Sequence, residues 1–203
     1  IATVVASANE SKLDYFPLSV EYVERLYAGG RIKGSRWVKR EGRPSDDAIL
    51  KARLIDRSIR PLFDKNYHHD IQVIITVLSV DGENEPDILA IIATSAALSI
   101  SPLPWKGPVG AVRVGYIPPQ NGNQTYFSNP GTKEMPHSDL DLIVSATADK
   151  VVMLEACAKE LPDKVVLNGI RFGKEETEKI IKCINELTKE VGKGKIKIEK
   201  NAE

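Results

Sequence analysis

Between residues 87 and 100 the chain runs for fourteen residues with one charged side chain, Asp87, at the start. A helix of this length is too short to cross a bilayer and has no polar face to turn to water. It therefore reads as a core helix that other layers enclose. Shortly before it, residues 71–80 (IQVIITVLSV) are rich in β-branched side chains and read as a central strand. A buried helix close to a buried strand points to a layered domain of mixed strands and helices. With 203 residues, 42% of them hydrophobic, the chain suffices for one large domain or two small ones with a proper core. No apolar run reaches the roughly 18 residues of a membrane span, so no membrane partner is expected. Charged residues at 28% and the lack of biased repeats exclude a disordered chain or a fibre. Two cysteines, Cys157 and Cys183, cannot build a disulfide scaffold, which makes a reducing compartment the default.

The chain carries zero net charge, but unevenly. Residues 31–60 hold ten basic side chains against four acidic ones, an asymmetry that bears on partners where the total does not. Gly29-Gly30, Gly34 and Gly42-Arg43-Pro44 punctuate the first half of this stretch as a loop. Ser45 is a good N-cap, and Asp46 and Asp47 suit the first turn of a helix. Ala48, Ala52, Ile55 and Ile59 then recur at helical spacing, so 46–60 reads as a helix with one buried stripe, ended by Pro61. Residues 3–8 read as a strand, followed by an irregular stretch to about residue 27. Strands are expected over 109–116 and 140–146, with a short hairpin near 125–127 inside a Pro/Asn/Gly-rich loop. Helices are expected over 149–160 and about 174–191, separated by an apolar run at 165–167. The fold class is α/β or α+β, a mixed β-sheet with helices packed on it, and the tail from 193 reads as a linker with little to pack. The chain opens at Ile1 inside a strand-like run, with no signal peptide or initiator Met, and reads as a fragment or processed product.

Four groups of residues bear on chemistry. Arg36, Trp37, Lys39, Arg40 and Arg43 set an aromatic among cations on a glycine-bounded loop, which offers a stacking face for bases and charge for phosphates. The plain alternative is a solvated loop with Trp37 turned inward. Arg53, Arg57 and Arg60 fall at i, i+4 and i+7 on one helix edge, where they form either an anion clamp or an ion-pair network with Asp56 and other carboxylates. Asp139 and Asp141 alternate onto one face of a strand entrance. Such a pair can hold Mg²⁺, or simply cap the strand and pair with arginines. His68-His69-Asp70 lacks further ligands at zinc spacing and reads as a loop. Cys157 and Cys183 read as buried fillers on helices.

The segments GGRIKGSRWVKREGRPSDDAILKARLIDRSIRPLF, VDGENEPDILAIIATSAALSISPLPWKGPVGAVRVGYI and SDLDLIVSATADKVVMLEA resemble the first half of the polynucleotide phosphorylases. The likeness runs from about residue 3 to residue 191. It implies a first ribonuclease-PH-like domain over 1–192 without its opening strands, then a linker over 193–203 to a helical domain. The family implied is a ring-shaped homotrimer that degrades single-stranded RNA from the 3′ end with inorganic phosphate, releases nucleoside diphosphates and uses Mg²⁺. Partners in RNA-degradation assemblies and a cytoplasmic location follow from the resemblance, with mitochondrion or plastid as alternatives.

In the family the loop matching residues 36–43 lines the pore and grips RNA, usually with two adjacent aromatics, where this chain has Trp37-Val38. The resemblance places phosphate and metal chemistry in the second core domain. The catalytic copy's phosphate loop falls here on Asn84-Glu85-Pro86-Asp87, its further acid on Met135 and its Lys on Ile143. Of its carboxylates only Asp139 and Asp141 survive, so no catalytic residue is expected in this half. The expected function is the RNA-binding, ring-forming half of a phosphate-dependent 3′→5′ exoribonuclease. A non-catalytic subunit of an exosome-type ring and an independent enzyme of the ribonuclease PH type are the other classes.

Overall fold

The computed structural model describes residues 1–31, 43–64, 66–118 and 125–196. Its first sheet contains β1 (Ala2–Glu10), β2 (Leu18–Glu24) and β3 (His69–Val77) in the order β1-β3-β2, with β1 antiparallel and β2 parallel to the central β3. Ile71, Val73, Ile75 and Val77 alternate onto the core face, as the two-residue strand period requires. β2 was expected to be irregular. Leu18, Val20 and Tyr22 nevertheless face inward while Ser19, Glu21 and Glu24 face out, an alternation that marks a half-buried strand.

A 3-10 turn (Leu26–Gly29) follows β2 and is closed by Gly30 in the left-handed region at φ 70°. α1 (Asp46–Ile59) begins where Ser45 Oγ accepts from the Ala48 amide at 3.2 Å, the expected N-cap. Ala48, Leu54, Ile55 and Ile59 are buried. Pro61 does not leave the helix end bare, because the chain tightens into a 3-10 turn over Arg60–Leu62. The Trp105 indole donates to the Ile59 carbonyl at 3.1 Å and the Lys106 amide to Leu62 at 2.9 Å, which satisfies carbonyls the helix cannot.

α2 (Pro86–Ile100) lies between the sheets, packed on β1, β3 and β4. Pro86 occupies the first turn, where a missing N–H costs nothing. The helix is not enclosed all round: Leu89 is 66% exposed, and Ile92, Ala93 and Ala96 are half-buried along the same stripe.

The second sheet has the order β5-β4-β6-β7, built from β4 (Gly110–Ile117), β5 (Thr125–Ser128), β6 (Leu140–Ala146) and β7 (Val151–Ala158), all antiparallel. β7 corrects the helix expected over 149–160. Leu154, Glu155, Ala156 and Ala158 favour helix locally. However, β6 is almost wholly buried and needs its outer N–H and C=O groups paired, and a tight turn from Thr147 to Lys150 folds β7 onto it.

α3 (Asp163–Val191) starts well before the expected residue 174 and absorbs the apolar run at 165–167. Gly169 and Gly173 look like helix breakers. They serve instead as contact points with the sheet: a Cβ at Gly173 would lie 2.7 Å from Val144 Cγ2, and one at Gly169 would lie 3.1 Å from Leu140 Cδ2. The far face of the second sheet packs on α3 through Val112, Val114, Leu142, Val144 and Val165. Its near face closes a larger core with α1, α2 and the first sheet around Ile55, Ile59, Val73, Ile91, Leu98 and Ile143.

Residues 193–196 are not a free tail. The Lys193 and Ile196 amides donate to Ile100 and Pro102, and Lys195 Nζ donates to the Leu98 and Ser101 carbonyls at 2.8 Å each. The lysine thus caps the C-terminus of α2, a use its composition does not reveal. Residues 197–203 lie outside the described residues. Among the described residues no helix is long and apolar enough to cross a membrane.

Gly173→Val should lower the unfolding free energy by about 1–3 kcal/mol in urea titrations, because α3 cannot lie closer to Val144 and Val114 with an added side chain. An unchanged midpoint would mean that α3 is not seated as described.

Candidate nucleic-acid interface and carboxylate cluster

Of the five residues expected to hold RNA, Arg36, Trp37, Lys39 and Arg40 lie outside the described residues, and Arg43 is exposed just ahead of α1. Both ends of the basic segment are held. Upstream, the Val80 amide donates to Ala28 at 2.9 Å and Gly30 closes the 3-10 turn; downstream stands the Ser45 cap. Lys51, counted in the sequence only as one cation among ten, reaches carboxylates on three elements: Asp47 at 2.8 Å, Glu24 at 3.2 Å and Glu85 at 3.3 Å. An Asp four residues before a Lys was the one available signal.

The three helix arginines do not form one clamp. Arg60 grips Asp56 through Nε and Nη2 and also donates to the Phe16 and Leu18 carbonyls, bracing α1 against the entrance of β2. Arg57 pairs with Glu155 of β7. Arg53 is exposed beside a cavity of about 320 Å³ between α1 and β2, lined in part by Val20, Tyr22, Ala48 and Ala52.

The two carboxylates each meet a different cation. Asp139 pairs with Lys159 at 3.2 Å. Asp141 faces Arg113, with Nε and Oδ1 3.2 Å apart but out of line for a hydrogen bond, so the contact is ionic. Burial pushes the Asp141 carboxyl above its ordinary pKa; Asp87 and Glu155 add to the rise and Arg113 opposes it.

Arg113 also pairs with Asp87 at 3.0 Å. Asp87, 3% exposed, sits in the first turn of α2, where its Oδ1 accepts from the Ile88 amide at 2.7 Å. Beside it lies a cavity of about 200 Å³ bordered by Asn84, Glu85 and Arg113. The positive end of α2 is therefore taken by the chain's own carboxylate, and Pro86 has no N–H to offer an anion.

Mg²⁺ fits this donor set poorly, because Asp139 and Asp141 each already face a cation at 3.2 Å. Among the described residues no group of three His, Cys, Asp or Glu is placed to hold a metal.

His69 Nδ1 lies 3.1 Å from the Ser7 carbonyl, and its ring lies 4.9 Å from that of Tyr67, a structural setting. Cys157 and Cys183 are exposed, which corrects their reading as fillers. Cys157 lies on a strand and not a helix, opposite Asp141 near the open end of β7, and Cys183 falls off the buried stripe of α3.

Residues 1–104 match the 3′ exoribonuclease family, domain 1, and residues 107–176 match its domain 2. The chain belongs to the 3′ exoribonuclease family. The junction at 104–107 separates the first sheet, α1 and α2 from the second sheet and α3. Over nearly its whole length the chain is similar to polyribonucleotide nucleotidyltransferases, which are enzymes. It is 50% identical over 97% of its residues to the one from Caldicellulosiruptor saccharolyticus. It is 48% identical over 95% and 96% of its residues to those from Rhodopseudomonas palustris and Acidobacterium capsulatum. The chain spans 28%, 26% and 24% of the length of these relatives. In this 3′ exoribonuclease scaffold, the middle of β4, the start of β6 and the start of α2 bring Arg113, Asp141 and Asp87 together.

Arg113→Met should lower the unfolding free energy by about 3–5 kcal/mol, since it leaves Asp87 buried and uncompensated. Adding Asp87→Asn should recover a large part of that loss in the same urea titration.

Proposed function

We propose that this chain is the RNA-guiding, ring-building half of a polyribonucleotide nucleotidyltransferase, a phosphate-dependent 3′→5′ exoribonuclease, and is not itself catalytic. What carries the reading is the first turn of α2, where Asp87 and Pro86 occupy the position in which a phosphate would need free amides and no negative charge. Arg113 lies between Asp87 and Asp141, at 3.0 Å and 3.2 Å, so each carboxylate already faces a cation. Identity of about one half with segments of polyribonucleotide nucleotidyltransferases supports the same reading.

In this account Arg36, Trp37, Lys39, Arg40 and Arg43 hold single-stranded RNA by stacking and by phosphate contact. Arg53 extends the cationic path, while Arg57 and Arg60 buttress α1. The whole enzyme would add inorganic phosphate in line across the last phosphodiester bond, releasing a nucleoside diphosphate. Its phosphate and Mg²⁺ belong to a second core domain. The chain would assemble as a homotrimer, meet partner proteins of RNA degradation, and reside in the cytoplasm, where its two exposed thiols stay reduced.

Lys39→Ala with Arg40→Ala should weaken binding of a labelled single-stranded RNA whatever its sequence. It should also make the slope of log affinity against log salt shallower by about 1.4. An unchanged slope would remove these residues from the interface. The unsubstituted chain should release no nucleoside diphosphate from bound RNA when phosphate is added. Release that disappears in Asp141→Asn would overturn the non-catalytic assignment.

A further inference from the structure

We propose that the outer face of the first sheet carries a docking cleft for an arginine side chain presented by a partner protein, anchored by the Asp70 carboxylate and the Tyr15 ring. None of the residues bordering this cleft belongs to the basic segment or to the cluster of Asp87, Arg113 and Asp141.

The strand period turns Ile71 and Val73 of β3 into the core and their neighbours Asp70 and Gln72 out of it. Val5 of β1 and Ser19 of β2 stand in register with Gln72, one on each side. Tyr15 and Pro17, on the chain leading into β2, complete a cleft of about 500 Å³ that Ser7 and Asp70 also border.

Its chemistry is one-sided. Among the described residues on the border, Asp70 alone is charged. A carboxylate on a central strand is stabilised by a cation on a neighbouring strand, and the bordering residues of β1 and β2 supply none. Among the described residues the Asp70 carboxylate has no ion pair and no hydrogen bond. Gln72 donates from its side-chain nitrogen to Glu21 Oε1 at 3.0 Å, which leaves its own carbonyl oxygen as a second acceptor. Tyr15 is 61% exposed, and its ring meets no other ring and no cation among the described residues.

An incoming group must therefore bring positive charge, hydrogen-bond donors and a face that stacks. A guanidinium has all three, because it is planar, carries its N–H groups in a fork that suits a carboxylate, and lies well on an aromatic ring. An ammonium is a compact and strongly hydrated charge that matches the ring less well. The unpaired carboxylate repels phosphate, which excludes RNA as the occupant. The cleft lies open over the sheet, with Val5 54% exposed at its border. That setting suits an arginine carried on a protein and flanked by apolar residues, since tyrosine and arginine are enriched where protein surfaces meet.

The test titrates the isotopically labelled chain with an acetylated, amidated Leu-Arg-Leu peptide, followed by amide NMR. Saturable shifts are expected at Ser7, Ser19, Asp70 and Gln72, and they should weaken as salt is raised. Asp70→Asn should weaken binding about tenfold and Tyr15→Ala about three- to tenfold. Tyr15→Phe, which keeps the ring, should change it less than about twofold. Lysine in place of the peptide's arginine should weaken it about threefold or more. Both positions are exposed, and unmoved signals from the core confirm that each variant is folded.

Absence of saturable shifts, or unchanged affinity in either Asp70→Asn or Tyr15→Ala, would overturn the proposal. So would agmatine, a free alkyl guanidinium, binding as tightly as the peptide, because the cleft would then take a small cation and not a protein. A single-stranded RNA that shifts the same amides would overturn it as well.

Discussion

The first turn of α2 is where the two halves of this molecule meet. The helix is wedged between the sheets, so its N-terminus has one position available, and that position carries two acidic side chains pointing to different ends of the domain. Asp87 turns to the second sheet and binds Arg113 of β4, which in turn faces Asp141 of β6. Glu85 turns to the first sheet and completes the carboxylate ring around Lys51. The start of α2 thus supplies one carboxylate to each of two charge clusters.

The cluster is a self-contained chain of charge. Asp87 is buried against Arg113, which also faces Asp141, so the one guanidinium stands between two acids. Asp139 pairs with Lys159, and Asp141 shares Arg113 with Asp87. The surface of α1 is divided in a similar way. Arg57 and Arg60 are spent on β7 and on the entrance of β2, while Arg53 is left facing solvent. The proposed RNA contact is the basic segment between β2 and α1, which is flanked by the turn at Gly30 and the Ser45 cap.

Elements whose burial pattern and caps agreed were legible in the amino-acid order. α1 with its Ser45 cap, α2, β4, β6 and the short β5 stand where the sequence puts them, while β3 begins at His69 and ends at Val77, short of the expected residue 80. The misses have local causes. β7 is made of good helix formers and becomes a strand because β6 needs a partner. α3 looked interrupted because Gly169 and Gly173 weaken a helix in isolation, while here they let it lie against Val144 and Leu140. β2 was missed although Leu18, Val20 and Tyr22 alternate with outward-facing residues. At the site, the residue types were readable but their partners were not. Nothing in the spacing of Asp87, Arg113 and Asp141 announces that three separate elements bring them together, and the role of Lys51 depends on Glu24 and Glu85 arriving from two others.

The central claim is that the N-terminus of α2 has no capacity for phosphate because the chain's own carboxylate fills it. Amide NMR of the isotopically labelled chain, titrated with inorganic phosphate to concentrations that saturate a working phosphorolytic site, tests this directly. The account predicts that the amide signals of Asp87, Ile88 and Leu89 stay in place. A saturable shift of these signals, lost in a chain where Arg113 is replaced by Met, would contradict it and return the first turn of α2 to phosphate binding.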